Sequence, residues 1–241
     1  MSGQRPIAVV TGAARGIGAG IARRLAADGY QVALLDLEAP RALAEELGGS
    51  ALACDVADPA SARAAAKAVG PAQVLVNNAG VWFTKSLLDS TDADLAATVA
   101  VNLLGVVHCC RAFAPAMIAH GSGSIVNLSS GAARSATPGY GVYPSTKAAV
   151  EALTRQLAME WGPAGIRVNA VAPGAIQTER NVANFTGERL AARTARVPLR
   201  RTGWPADIAD VVSALCSEDM RYVTGQVVGV DGGLSAGQPG V

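Results

Sequence analysis

The chain has 241 residues, of which 50% are hydrophobic and 16% charged, a composition that excludes an intrinsically disordered protein. Lys and Arg total 20 against 19 Asp and Glu, so the net charge of +1 offers no bulk attraction for nucleic acid or an anionic membrane. The 4 cysteines include no CxxC pair and there are only 2 histidines, which excludes a zinc finger and predicts no metal site. We expect buried cysteines in a reducing compartment.

The N-terminal segment predicts a cytoplasmic protein. Its apolar run of about five residues is shorter than the hydrophobic region of a signal peptide. No stretch reaches the roughly 18 apolar residues expected of a membrane span. We therefore expect neither a membrane nor a nucleic acid as partner, and a small molecule as substrate.

Short apolar runs alternate along the chain with longer patterns rich in Ala and Leu. The apolar runs predict strands at residues 7–11, 31–36, 51–54, 74–77, 124–129, 167–172 and 226–230. The longer patterns predict helices at residues 16–28, 41–47, 59–69, 92–120, 143–161 and 205–217. Asp58 before Pro59, and Thr91 three residues before Asp94, are typical helix-start signals.

This alternation predicts the α/β class. Continuous apolar strands separated by helices are typical of a parallel sheet covered on both faces. No linker or repeat interrupts residues 1–241, so we expect one doubly wound domain with about seven strands. Residues 177–202 break the rhythm after the sixth strand, and we interpret them as a substrate lid.

A glycine-rich turn follows the first strand. Its glycines, Gly12, Gly16 and Gly18, have the order GxxxGxG rather than the dinucleotide-binding order GxGxxG. Glycines in such a turn let the backbone approach a pyrophosphate, and the following helix presents unpaired N–H groups to it. Asp36 ends the second strand, where a carboxylate can bind the ribose hydroxyls of NAD.

Further motifs follow in a fixed order along the chain. They are Asp55-Val56, Asn77-Asn78-Ala79-Gly80, Asn102 within VNLLG, Ser130, Tyr143-Pro-Ser-Thr-Lys147, PGAIQT at residues 173–178 and Asp231-Gly232-Gly233. Together with TGAARGIG in the first turn, this set resembles the short-chain dehydrogenase/reductase family over essentially the whole chain. The resemblance implies a Rossmann-like fold, an NAD(P) cofactor and hydride transfer to or from a carbonyl.

The turn and the resemblance together name the candidate site residues. The implied catalytic residues are Asn102, Ser130, Tyr143 and Lys147. The implied cofactor contacts are Gly12, Arg15, Gly16, Ile17, Gly18, Asp36, Asp55, Val56, Asn78, Ala79, Gly80, Tyr143, Lys147, Pro173, Gly174, Ile176 and Thr178.

The chemistry of the Tyr143 and Lys147 pair can be argued from spacing. The two residues are four apart on one predicted helix and so share a face. A phenol has a pKa of about 10, and a nearby ammonium or an oxidised nicotinamide should lower it toward neutrality. Tyr143 could then exchange a proton with an alcohol or carbonyl oxygen, which Ser130 would hold. Asn102 would support a water next to Lys147.

Aromatic residues near these motifs predict a substrate wall. Trp82 follows the NNAG motif, and Tyr140 precedes Tyr143, so with Ser130 these residues are the candidate substrate contacts. Tyr140 is not an alternative acid/base, because Pro144 stands where its lysine partner would be. Ordinary packing of the aromatic residues is the competing interpretation.

Two residues favour different cofactors. Arg15 in the glycine turn could reach the 2′-phosphate of NADP, whereas Asp36 should repel that phosphate. Asp36 has a short side chain at a strand end and cannot move away as Arg15 can. We therefore predict NAD, with NADP less favoured.

The sequence leaves rival functions open. The main prediction is an NAD-dependent oxidoreductase for secondary alcohols and ketones, and the family resemblance implies a homotetramer. One alternative is an NADPH-dependent 3-oxoacyl-(acyl carrier protein) reductase, with Arg189, Arg193 and Arg196 binding an anionic substrate, although a solvated face is the favoured interpretation of these arginines. A non-catalytic dinucleotide sensor is the alternative from another class.

Overall fold

The computed structural model describes residues 5–136, 138–182 and 185–237. Within these residues, the centre of the fold is a parallel sheet of β1 (Ile7–Thr11), β2 (Gln31–Asp36), β3 (Ser50–Ala53), β4 (Val74–Asn77), β5 (Gly123–Leu128), β6 (Ile166–Pro173) and β7 (Val227–Val230). The spatial order is β3-β2-β1-β4-β5-β6-β7. The predicted Rossmann-like architecture is confirmed.

The connections between the strands contain the helices. These are α1 (Gly16–Ala27), α2 (Arg41–Leu47), α3 (Pro59–Val69), α4 (Asp92–Val99), α5 (Gly105–His120), α6 (Tyr143–Trp161), α7 (Gly187–Arg196) and α8 (Pro205–Cys216). Short 3₁₀ turns lie at Gly131–Ala133, Gly162–Ala164 and Glu218–Met220.

Helices cover both faces of the sheet. On one face α1 and α8 pack together, and Ile21 and Ile208 are completely buried there. On the other face α3, α5 and α6 bury Phe113 and Met117 against the strands. Burying one such side chain stabilises the fold by roughly 1.5–3 kcal/mol. The apolar strands therefore lie between two cores, as parallel strands require.

The predicted helix starts are confirmed at the atomic level. Asp58 accepts hydrogen bonds from the N–H groups of Ala60 at 2.8 Å and Ser61 at 3.2 Å. Thr91 and Asp94 exchange reciprocal hydrogen bonds of 3.1 Å and 3.0 Å between side chain and backbone, which is a capping box. These bonds satisfy N–H groups that have no partner inside the helix.

The predicted helix 92–120 is continuous but not uniformly α-helical. Its turn Ala100–Leu104 is a π-helix between α4 and α5. The wider turn contains Asn102, whose amide is buried and bonded outside the helix. Turns of this kind often occur at functional sites.

Other bounds differ from the predicted ones by one residue. For example, β6 extends to Pro173 because Pro173 stays in register with Val230 of β7. Strand β7 begins at Val227 rather than residue 226, where the Gln226 N–H donates instead to the Asn169 side chain at 3.0 Å. Inside the segment 177–202, the structure contains α7, an ordered helix that the sequence analysis did not predict.

The helix Asp92–His120 is long and apolar enough, by length and composition alone, to span a membrane. The expectation that no stretch meets this condition is therefore wrong. The finding is weak evidence about a membrane, because core helices of soluble proteins pass the same test. In this helix Val106, Cys110 and Phe113 are buried in the core that packs on the sheet.

Candidate active site

The candidate site begins in the crevice between β1 and β4, where the strand order changes direction. The Thr11 hydroxyl accepts hydrogen bonds from the N–H groups of Asn78 at 3.0 Å and Ala79 at 3.1 Å. The Asn78 amide donates to the carbonyls of Thr11 and Gly12, both at 2.9 Å. These bonds tie the glycine turn to the NNAG turn at the carboxyl edge, where open α/β sheets bind ligands.

Two glycines of the first turn leave no room for a side chain. At Gly12, where φ is +63°, a Cβ would lie 2.8 Å from Ala79 Cα. At Gly18 a Cβ would lie 2.1 Å from the Gly12 carbonyl oxygen. Among the described residues no acceptor bonds the N–H groups of Ile17 and Gly18 at the start of α1. These free donors, in a turn whose glycines let a ligand approach the backbone, fit the pyrophosphate of a dinucleotide.

Asp36 is held against this turn. Its carboxylate accepts hydrogen bonds from the N–H groups of Ala14 at 2.9 Å and Leu37 at 2.8 Å. Arg15 is exposed and has no ion pair among the described residues. The carboxylate is therefore held by two backbone hydrogen bonds, whereas the Arg15 guanidinium makes no ion pair among the described residues.

Asp55 and Val56 lie in the turn after β3. The Asp55 carboxylate accepts from the N–H of Ala57 at 2.9 Å, so it shapes its own turn. Val56 is buried, and a Cβ on Gly105 of α5 would lie 2.8 Å from its Cγ2. The two residues are thus placed at the same sheet edge as Asp36.

The structure brings Ser130, Tyr143 and Lys147 together. Tyr143 is the first residue of α6, and Ser130 follows the end of β5. Lys147 is buried, donates to the Leu128 carbonyl at 2.8 Å, and has its Nζ 5.9 Å from the Tyr143 ring centroid. Burial raises the pKa of Tyr143, and a hydrogen bond with Ser130 lowers it by a smaller amount.

The pKa of Tyr143 is shifted in the direction opposite to the expected one. Burial raises the pKa of Tyr143 and lowers the pKa of Lys147 to about 8, so it shifts the equilibrium of each group toward the neutral form. Among the described residues the net shift of the Tyr143 pKa is therefore upward, opposite to the lowering expected from Lys147 and an oxidised nicotinamide. The physical reason is that desolvation in the low-dielectric interior penalises both charges.

Asn102 has a contact that the sequence analysis missed. Its amide donates to the Val81 carbonyl and accepts from the Val81 N–H, both at 2.8 Å. A Cβ on Gly80 would lie 3.3 Å from Asn102 Oδ1 and 3.6 Å from Lys147 Nζ. Asn102 and Lys147 thus flank the NNAG turn, and Asn102 fixes the backbone from which Trp82 projects.

Residues 173–178 return from β6 to the start of α1. Gly174 packs on Asp231, where a Cβ would lie 2.5 Å from the Asp231 Cβ. Ile176 is buried, and Thr178 Cγ2 would lie 3.3 Å from a Cβ on Gly16. The segment that the resemblance assigned to the cofactor therefore contacts the glycine turn.

Aromatic side chains lie beside these residues. The rings of Tyr140 and Tyr143 have centroids 6.0 Å apart. The Arg180 guanidinium lies 4.3 Å from the centroid of Trp82, a cation–π contact between the 177–202 segment and the NNAG region. No local sequence pattern indicates this pairing.

The arginines of α7 are exposed. Arg189, Arg193 and Arg196 have no ion pair among the residues the structure describes, and Arg193 lies 5.0 Å from the Phe185 ring. Nothing in α7 is buried. This exposure favours the interpretation of a solvated face.

A buried carboxylate beneath the site was also missed. Glu151 lies one turn after Lys147 on α6, within hydrogen-bond distance of Ser129 Oγ at 3.0 Å and of Arg134 Nε at 3.4 Å. Ser129 Oγ is also 3.2 Å from the Lys147 carbonyl oxygen. The spacing of Lys147 and Glu151 on one helix face was the available signal.

A family model described as enoyl-(acyl carrier protein) reductase matches residues 12–235. An uncharacterised short-chain type dehydrogenase/reductase of Sinorhizobium fredii is 40% identical, covering 94% of this chain and 96% of the relative. The chain belongs to the short-chain dehydrogenase/reductase family. The family uses NAD(P), and the protein is accordingly an oxidoreductase of alcohols and ketones.

Other members of the family differ in their named substrates. A galactitol 2-dehydrogenase (L-tagatose-forming) of Cereibacter sphaeroides is 40% identical, and the match covers 95% of this chain and 94% of that relative. A 3-oxoacyl-[acyl-carrier-protein] reductase of Staphylococcus aureus is 38% identical, and the match covers 94% of this chain and 97% of that relative. A solved structure of a putative 2-deoxy-D-gluconate 3-dehydrogenase from Agrobacterium tumefaciens with bound NADP has a TM-score of 0.90 and 35% identity, covering 98% of both chains.

The buried lysine generates a pH prediction. Below about pH 8 Lys147 is protonated in both states, and the folded protein bears the full cost of its burial. Between about 8 and the ordinary value of 10.5 the folded state releases the proton first, so stability rises with pH. From about pH 8 to 9.5, the wild type should gain about 1.6 kcal/mol in unfolding free energy relative to Lys147→Met.

Urea unfolding at several pH values measures this difference. Loss of the donor to Leu128 affects the variant at every pH and so cancels in the comparison. Lys67→Met, at an exposed position of α3, is the control and should run parallel to the wild type. Parallel profiles for Lys147→Met as well would contradict the burial argument.

Proposed function

We propose that the protein is an NAD(H)-dependent oxidoreductase that interconverts a secondary alcohol and a ketone, with Tyr143 as the acid/base. The observation that carries the proposal is the placement of Tyr143, Ser130 and buried Lys147 beside a crevice with two free N–H donors. A nicotinamide cofactor bound there supplies or accepts the hydride. One domain with a lid at residues 177–202 remains part of the proposal.

The side chains divide the remaining chemistry between them. In the reducing direction the Tyr143 phenol gives its proton to the carbonyl oxygen that receives the negative charge, and in oxidation it takes the proton from the alcohol. The raised pKa of Tyr143 keeps the phenol protonated and ready to donate. The Ser130 hydroxyl holds the same oxygen. Lys147 and Asn102 keep the NNAG turn and Tyr143 in position.

The fixed carboxylate of Asp36 supports NAD as the cofactor. The 2′-phosphate of NADP would bring about two negative charges to it, each costing roughly 4 kcal/mol at about 4 Å and an effective dielectric near 20. Solvent at this half-exposed site reduces the cost, and the exposed Arg15 offsets part of it. A similar solved structure contains NADP, so the choice between NAD and NADP has to be measured.

A 3-oxoacyl-(acyl carrier protein) reductase is the second candidate. It is favoured by the Staphylococcus aureus relative and by the arginines of α7, while Asp36 opposes its NADPH dependence. The galactitol dehydrogenase relative instead favours a small hydroxylated substrate. A panel of polyols, ketoses and 3-oxoacyl thioesters, each assayed with both cofactors, distinguishes the two. A dinucleotide sensor would turn over none of them.

A homotetramer remains a further proposal from the family resemblance. It is supported by partly exposed apolar side chains on the paired long helices, including Ile118 on α5 and Met159 on α6, which is 79% exposed. Analytical ultracentrifugation tests it. A cytoplasmic location likewise remains a prediction.

Replacement of the proposed acid/base should separate chemistry from binding. Tyr143→Phe should lower kcat by at least about a hundredfold, because a positioned acid/base contributes typically about 10²–10⁴-fold. NADH affinity, measured by fluorescence, should stay within about threefold. Tyr222→Phe, at a fully exposed tyrosine, is the matched control. Near-normal turnover by Tyr143→Phe would contradict the mechanism.

Cofactor choice should depend on the charge of Asp36. We expect kcat/KM for NADH to exceed that for NADPH by at least about tenfold, equivalent to about 1.4 kcal/mol. Asp36→Asn, which keeps an acceptor for the Ala14 N–H, should narrow or reverse the preference. Glu38→Gln, an exposed acid two residues away, should not. Equal values for the two cofactors in the wild type would show that Arg15 dominates.

A further inference from the structure

Glu179 lies at the start of α1. Its Oε2 accepts a hydrogen bond from the Gly16 N–H at 3.1 Å, across 163 residues of sequence. A Cβ on Gly16 would lie 3.8 Å from the same oxygen. Helix α1 has no capping side chain of its own, since Arg15 at the N-cap makes no such bond and its first turn contains no acid. The anion that a helix N-terminus favours is thus supplied by the 177–202 segment.

A compact turn holds Glu179 in this place. The Thr178 N–H donates to the Asn181 side chain at 2.7 Å, and the Asn181 amide donates to the Ile176 carbonyl at 2.9 Å. Arg180, the next residue, extends to Trp82 instead of α1. Neighbouring residues of one turn therefore contact the cofactor side and the substrate side of the crevice.

The charge of Glu179 acts on α1 beyond this hydrogen bond. The pKa of Arg23 is raised first by its hydrogen bond to Glu46, but the charge of Glu179 also contributes. A dinucleotide pyrophosphate would carry further negative charge to the same helix end. A carboxylate on the Gly16 N–H and a pyrophosphate on the neighbouring N–H groups of Ile17 and Gly18 would crowd one helix end and repel each other.

We propose that Glu179 is an internal anion that occupies the pyrophosphate end of α1 until the dinucleotide displaces it. The inference rests on the proposed NAD(H) function and deepens it, because it makes Glu179 a determinant of cofactor affinity. Displacing Glu179 moves the adjoining Arg180, so binding at the phosphates is transmitted to the guanidinium that covers Trp82.

Calorimetric titration of the purified full-length protein with NADH and with ADP-ribose tests the proposal. Glu179→Gln removes the charge, and Glu179→Asp keeps the charge but shortens the side chain that reaches Gly16. Glu188→Gln, at an exposed acid in the first turn of α7, is the matched control. ADP-ribose lacks nicotinamide, so a change in affinity seen with both ligands arises from the part that they share, which includes the pyrophosphate.

We expect Glu179→Gln to lower the Kd of both ligands by about fivefold to tenfold. Glu179→Asp should lower both Kd values by a smaller factor, and Glu188→Gln should leave them within about twofold. If the Kd of Glu179→Gln is unchanged or raised, the displacement proposal is overturned. The proposed NAD(H) function is not affected by that result, provided that the protein still binds NADH. Tightening in Glu179→Gln with wild-type affinity in Glu179→Asp shows general repulsion and also overturns displacement. Failure of every form to bind either ligand contradicts the proposed function as well.

Discussion

The hydrogen bonds between Thr11 and the Asn78–Ala79 turn are the constraint on which the candidate site depends. They join the carboxyl ends of β1 and β4, where chain connections leave the sheet in opposite directions. The close approach leaves no space for a Cβ at Gly12, which explains why glycine stands there. It also sets the start of α1 beside the NNAG turn, and through Gly80 beside Lys147.

Burial then decides the protonation of the proposed catalytic pair. Lys147 has a carbonyl partner at Leu128 but no carboxylate among the described contacts, so desolvation lowers its pKa. Desolvation raises the pKa of Tyr143 in the same interior. A positive charge brought by an oxidised nicotinamide should act strongly on the Tyr143 phenol in this interior, because few solvent dipoles screen it.

The sequence was sufficient for those features that depend on local signals. Helix α6 has the predicted bounds because an apolar pattern begins at Tyr143 with Pro144 in the first turn. The strands were found within one residue because each is a short apolar run. The π-helix at Ala100–Leu104 was missed, and the contact that its Asn102 makes with Val81 joins two segments that no local pattern relates.

The remaining site features depend on contacts between distant loops, or on burial. The pair of Glu179 and Gly16 joins segments that no local pattern relates, and the same is true of Arg180 and Trp82. The rise of the Tyr143 pKa among the protein's own residues was not predicted, because the spacing of Tyr143 and Lys147 shows their proximity but not their desolvation. The motifs were therefore sufficient to locate the site. The direction of its pKa shifts depends on burial, which only the folded structure shows.

The most direct test of the account is whether this crevice transfers a hydride. The protein would be incubated with NADH deuterated on both faces of nicotinamide C4 and with a panel of ketones and ketoses, and the alcohol products analysed by mass spectrometry. The account predicts a single deuterium on the new carbinol carbon of at least one product. Binding of NADH without deuterium transfer to any carbonyl, or alcohol formed with hydrogen from water at that carbon, would contradict it.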